Sequence, residues 1–255
     1  MNYRQYLFYL ILLIFVGCAT GQLSIQDVYL PALLAPNDVK KSGQILINND
    51  FGFTRILNDS VDSPLDTLVI TVHGYQSKGY EWIEAISKLV HQYKTLYFYR
   101  YDWDQCIDST SVDLARNIDL LINSIPESDI TLIFSHSYGG IILANSIQYL
   151  HANIEIEAHA IASPLAGYPS LTDTCGISDI QYKYHLDLWE PNIHFYQWRT
   201  QHHLDGAFKK LSVNPQEISS DKIMVFDLPE TMDGHRLGHN WSVTWVVREY
   251  VGYVQ

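Results

Sequence analysis

The chain has 255 residues, 47% of them hydrophobic and 17% charged, which supports one folded domain and excludes a disordered chain. Lys and Arg number 16 against 28 Asp and Glu, a formal net charge of -12. With no basic cluster, this balance argues against nucleic acid as a partner and against an electrostatic grip on anionic lipid.

Arg4 precedes an unbroken apolar run from Leu7 to Val16. Such a run has the length of a signal-peptide hydrophobic region and falls short of the ~20 residues a membrane-spanning helix needs. Gly17-Cys18 then resembles the lipobox of bacterial lipoproteins, with Phe15 where Leu is usual. The resemblance implies cleavage before Cys18, lipidation of Cys18, and an exported chain anchored by lipid to the bacterial cell envelope. Ala19 and Thr20 follow in place of an Asp retention signal, which the resemblance reads as the outer membrane. An uncleaved membrane anchor is the alternative. The organisation expected is a signal peptide over 1–17, a tether and irregular segment over 18–43, and a folded domain over 44–255. With Cys18 lipidated, Cys106 and Cys175 remain, either as a disulfide suited to an exported domain or as two buried thiols.

Pro31, Pro36 and Asn37 interrupt the apolar residues before 44, and Gln44–Asn48 is a short apolar run. Thr67–Val72 is rich in β-branched residues and stops at His73-Gly74, which predicts a buried strand. Trp82, Ile83, Ile86, Leu89 and Val90 follow helical spacing over 80–93. Strands are predicted over 95–101, 129–134, 155–162, 193–198 and 222–226, and helices over 112–125, 138–150 and 242–250. Strand and helix alternating in this way give parallel β-α-β units with helices on both faces of one sheet, an α/β fold. Ligands in such sheets bind beyond the C-terminal ends of the strands, so the residues just after each strand carry the interest.

Ser135-His136-Ser137-Tyr138-Gly139-Gly140, between a strand and a helix, resembles the G-x-S-x-G nucleophile elbow, with Ser135 replacing the first Gly. A sharp turn there lifts a hydroxyl above the sheet edge, and small neighbours let helix and strand pass. The alternative is a Gly-rich turn with an incidental serine. His73-Gly74-Tyr75 resembles the His-Gly segment after the third strand of the same fold. Ser163-Pro164-Leu165-Ala166-Gly167 resembles a Pro turn that follows a later strand in lipases.

From 44 to 255 the chain is thus similar to the α/β-hydrolase superfamily, at its lipase and esterase end. The resemblance implies a mostly parallel central sheet with helices on both faces, and a Ser, acid, His order along the chain. Ser137 is then the nucleophile, and the backbone N–H groups of Tyr75 and Tyr138 form the oxyanion hole. His73 precedes the serine and is expected to be structural. Asp205, after strand 193–198, is the expected acid, with Asp187, Glu190, Asp173 and Asp179 as rivals. His239, before the last helix, is the expected base, with His235 as the alternative. The activity implied is hydrolysis of a carboxylic ester on a small molecule or lipid, with no cofactor and no metal. His235 and His239 lack the Glu of a zinc-binding H-E-x-x-H helix. A thioesterase or amidase with the same triad, or a non-catalytic surface lipoprotein, are the competing readings. Tyr168, Tyr182, Tyr184 and Trp189 stand where relatives insert a lid, and are expected to be core more than acyl pocket.

Overall fold

The computed structural model describes residues 23–62, 66–168 and 184–253. Cys18, Cys175, Asp173, Asp179 and Tyr182 therefore lie outside the described residues.

The centre is an eight-stranded sheet in the order β1-β2-β4-β3-β5-β6-β7-β8. Six of these strands are the predicted ones: β3 (Thr67–Val72), β4 (Thr95–Arg100), β5 (Ile130–His136), β6 (Glu155–Ile161), β7 (Ile193–Arg199) and β8 (Ile223–Asp227). All of them pair in parallel. Two strands at one edge were not foreseen. β2 (Gly52–Leu57) pairs antiparallel to β4, and β1 (Ile25–Tyr29) runs parallel to β2. Residues 25–29, in the segment expected to be irregular, thus extend the sheet. Asp27 faces Arg55 across this edge, with a carboxylate–guanidinium contact of 2.7 Å.

Three helices cover one face: α2 (Val39–Ile47), α3 (Ile83–Tyr93) and α6 (Trp241–Tyr253). They bury Leu46, Ile86, Val90, Val243 and Val247 against Val69, Phe98, Leu132 and Phe134 of the sheet. The short α1 (Leu30–Leu34) adds Leu30 and Leu33 to that layer. α4 (Ile107–Ser124) and α5 (Tyr138–Ser146) cover the other face, packing Leu114, Ile118, Ile141 and Ile142 on Ile70, Val72, Ile133 and Ala158. The period of two along β3 and β5 sends alternate side chains to opposite layers, so each strand feeds both cores. α5 has no solvent face, since all of its residues from Tyr138 to Ser146 are buried. Such a helix is held by tertiary packing more than by amphipathic pattern. The helix predicted over 138–150 ends as a 3-10 turn, Ile147–Tyr149.

Candidate active site

Four strand ends meet at one edge of the sheet. β5 delivers Ser137, β3 delivers His73-Gly74-Tyr75, β7 leads to Asp205, and the chain after β8 returns to His239 just before α6.

Ser137 has φ 53 and ψ -120, a backbone conformation that a non-glycine residue avoids. Strain of this kind costs of order 1–3 kcal/mol and persists only where the surroundings impose it. The Ser137 N–H is anchored on the Ile161 carbonyl of the neighbouring strand at 2.9 Å. Behind it, Gly139 passes so close to β3 that a Cβ there would lie 2.4 Å from the His73 carbonyl oxygen. Ser135, in the place of the usual first Gly, is fully buried and donates its hydroxyl to the His159 carbonyl at 2.7 Å. The departure is therefore accommodated by a satisfied hydrogen bond. α5 starts at Tyr138, so Ser137 stands at its N-terminal, positive dipole end. Gly74 brings the other chain in, since a Cβ on it would lie 3.1 Å from the Cβ of Ser137. Tyr75, next to Gly74, also meets Tyr138, their rings edge to face at 6.1 Å.

His73 is buried and stacks on Tyr101 at 4.4 Å. Its Nδ1–H donates to the Gly74 carbonyl at 2.8 Å, while Nε2 accepts the Tyr101 N–H at 3.3 Å. Both nitrogens are engaged, and burial lowers its pKa to about 4, so the ring is a neutral brace for the 73–75 turn.

Asp205 has no solvent exposure. Its Oδ1 accepts the N–H groups of Ala207 at 2.7 Å and Phe208 at 3.2 Å. Its Oδ2 accepts the Thr200 hydroxyl and faces His239 Nδ1 at 3.0 Å. Burial pushes this carboxyl up, but the bond and charge of His239, with Thr200 and the Ala207 N–H, outweigh it and hold the group below the ordinary carboxylate range. A carboxylate on Nδ1 fixes the imidazole with its proton there and leaves Nε2 as the basic nitrogen.

His239 is held from three more sides. Phe208 meets its ring edge to face at 4.9 Å, and His136 lies 4.7 Å away. His136 Nε2–H donates to the His239 carbonyl at 3.1 Å, and the Ser242 hydroxyl donates to the same oxygen. Burial, with the His239 charge added, lowers the His136 pKa to about 3, so this ring too stays neutral. Thr200, His136 and Ser242 had no role in the sequence reading. His136 sits inside the quoted serine motif, but what it touches depends on chain from elsewhere.

His235 lies exposed on the hairpin of β9 (Thr231–Met232) and β10 (His235–Arg236), its ring 5.8 Å from Trp241. The Asp205 carboxylate engages His239 and not this alternative base. Among the rival acids, Asp187 and Glu190 are exposed. Tyr184 and Trp189 are buried in the core, and Tyr168 packs on Phe208 at 6.1 Å. Among the described residues no group of three or more His, Cys, Asp or Glu is placed to hold a metal ion.

Ser137, His239, Gly74, Tyr75 and His136 all line one cavity of about 270 Å³. Among the described residues Ser137 Oγ makes no hydrogen bond, so serine and imidazole face a common space without a direct bond between them.

The mature form of a Bacillus licheniformis lipase superposes with a TM-score of 0.54 at 12% identity, over 81% of this chain and 98% of that one. A putative thioesterase from a Silicibacter species superposes with a TM-score of 0.53 at 14% identity, over 94% of each chain. The chain has the α/β-hydrolase fold. No family model and no curated protein matches it. At these identities the likeness speaks to the hydrolase fold alone. Within the hydrolase fold the cavity lies where the strand ends open, the usual place for chemistry in such sheets.

Proposed function

We propose that the chain is a serine hydrolase of carboxylic esters, with Ser137 as nucleophile, His239 as base and Asp205 as its orienting acid. The observation that carries this reading is the 3.0 Å contact from buried Asp205 to His239 Nδ1, beside the strained turn of Ser137. His239 Nε2 takes the serine proton, and Oγ attacks the ester carbonyl. The backbone N–H groups of Tyr75 and Tyr138 receive the oxyanion, each such donor contributing ~3–4 kcal/mol. His239 then protonates the departing alcohol, and water cleaves the acyl-enzyme by the same route in reverse. The lipase and thioesterase likenesses agree with acyl transfer.

The test is a fluorophosphonate label. Labelling of the folded wild type and its loss in Ser137→Ala supports the enzyme. A folded wild type that takes no label supports a non-catalytic binding protein instead. A panel of p-nitrophenyl esters of rising chain length, with thioester and anilide controls, separates esterase from thioesterase and amidase.

The chain's place in the cell belongs to the same proposal: export and a lipid anchor on Cys18 in the bacterial envelope, most simply the outer membrane. The disulfide at Cys106 supports export, since such bonds persist in oxidising compartments. Incorporation of labelled palmitate that is lost in Cys18→Ser supports the anchor, and equal labelling of both chains refutes it.

A further inference from the structure

The departing alcohol fixes which side of the site it occupies. His239 must hand its proton to the leaving oxygen, so the alcohol half of the ester lies against the imidazole. The 270 Å³ cavity that His239 shares with Ser137 is also walled by Gln76, Ser77, Lys78, Tyr80, Glu81 and Asn240. No aliphatic side chain lines it among the described residues. Its volume falls below the ~300–1,000 Å³ of sites for drug-sized ligands, so it suits a group of a few heavy atoms.

Glu81 is the unusual member. It is 8% exposed and accepts the Ser77 hydroxyl, while Ser77 Oγ itself accepts the Gly79 N–H at 3.1 Å. Burial pushes its pKa up, against the pull of Ser77 and of the His239 charge. The turn that carries it is rigid. Gly79 packs directly on α2, where a Cβ would lie 2.4 Å from the Gly43 carbonyl oxygen, and the adjoining Trp82 is fully buried. Asn240 donates to the Tyr80 hydroxyl at 2.9 Å and ties the loop before α6 to the same turn. A buried carboxyl costs stability, and a site that is only structural would satisfy the turn more cheaply with an amide or a hydroxyl.

Resting on the esterase reading above, we propose that this cavity binds a polyhydroxylated alcohol, with Glu81 accepting its hydroxyls. Donors (Lys78, Gln76, Asn240) and acceptors (Glu81, Gln76, Tyr80) both line the space. That mixture matches hydroxyl groups, which donate and accept at once. A carboxylate and an ammonium together leave little net charge for an ionic ligand, and apart from the tyrosine rings the wall is polar. Glu81 is thus a specificity residue for the leaving group and takes no part in the bond-breaking step.

The test compares two esters of one acyl group, glyceryl monobutyrate and n-propyl butyrate. The wild type is expected to favour the glyceryl ester at least about tenfold in kcat/KM, the effect of one well-placed hydrogen bond. In Glu81→Leu that ratio falls towards one, and in Glu81→Gln, which keeps an acceptor, it lies between. A wild-type ratio near one overturns the inference, and it decides the matter even if Glu81→Leu fails to fold. A variant that slows both esters equally also overturns it, since that is a structural role. Faster turnover of choline butyrate than of the glyceryl ester refutes it in favour of a cation site. Fluorophosphonate labelling of Ser137 runs alongside: label without glyceryl preference sinks this inference alone, and no label sinks the esterase reading beneath it.

Discussion

Asp205→Asn is the sharpest probe of the site, because the carboxylate's four partners dictate how an amide must sit. Oδ1 accepts two backbone N–H groups, from Ala207 and Phe208, and a backbone cannot turn away. The amide oxygen therefore takes that position, and the NH2 group takes the place of Oδ2 opposite Thr200 and His239. Thr200 adapts by rotating its hydroxyl. His239 adapts only by moving its proton from Nδ1 to Nε2, so that Nδ1 accepts from the amide. An imidazole protonated on Nε2 cannot accept the proton of Ser137. In serine hydrolases the loss from this wrong tautomer is ~10⁴ in kcat, which is about 5.5 kcal/mol of barrier. The shape is unchanged and both backbone bonds survive, so the fold remains. The assay is kcat on p-nitrophenyl acetate, with thermal melting as the control for folding. A folded variant within tenfold of the wild type would show that Asp205 does not set the tautomer and would refute the assignment.

Three further outcomes follow from the same geometry. Ser137→Gly is expected to melt above Ser137→Ala, because glycine relieves the φ 53, ψ -120 strain of ~1–3 kcal/mol at an entropic cost of ~0.5–1; equal melting temperatures would mean that no strain is stored there. Gly139→Ala drives a methyl to 2.4 Å from the His73 carbonyl oxygen and should cost about 1–3 kcal/mol in urea unfolding, with a fall in activity as the 73–75 turn is displaced; a variant as stable as the wild type contradicts the packing. His73 and His136 are kept neutral in the folded chain, with pKa values near 4 and 3 against 6.5 when exposed. The unfolded chain therefore binds more protons below pH 6.5, and stability should drop as pH falls, by about 1.4 kcal/mol per pH unit for each ring, until each titrates in the fold. Asp205, held low in the fold, loses its contribution in the same direction at more acid pH. Urea titrations at pH 7, 6 and 5 measure this, and a flat profile refutes the burial of neutral rings.

The parallel part of the sheet, β3 to β8, was legible because each of its strands carries its own signal. Thr67–Val72 and Ile130–Phe134 are apolar on both faces, and each is closed by a small or polar residue at the turn. β1 and β2 carry no such signal. Phe53 and Ile56 are buried, but Thr54, Arg55 and Asp27 break the pattern, and only pairing across the edge makes sense of it. Asp27 and Arg55 become intelligible as partners once β1 and β2 are side by side. The prolines that suggested irregular chain before residue 44 sit in it differently. Pro31 opens α1, where its missing N–H is harmless, and Pro36 lies in the turn beyond that helix.

By itself the sequence determined the alternation of strands and helices and the turn at Ser137, since both depend on residues that are neighbours along the chain. Only the tertiary structure decided that Asp205 meets His239 and leaves His235 on an exposed hairpin, because the two partners are 34 residues apart. His136 reaches the carbonyl of His239 across 103 residues, a contact that no local spacing encodes. The polar wall around Glu81 is of the same kind. A side chain's chemistry is written in its letter, but the dielectric, the partner and the space it faces are set by whatever the fold packs against it.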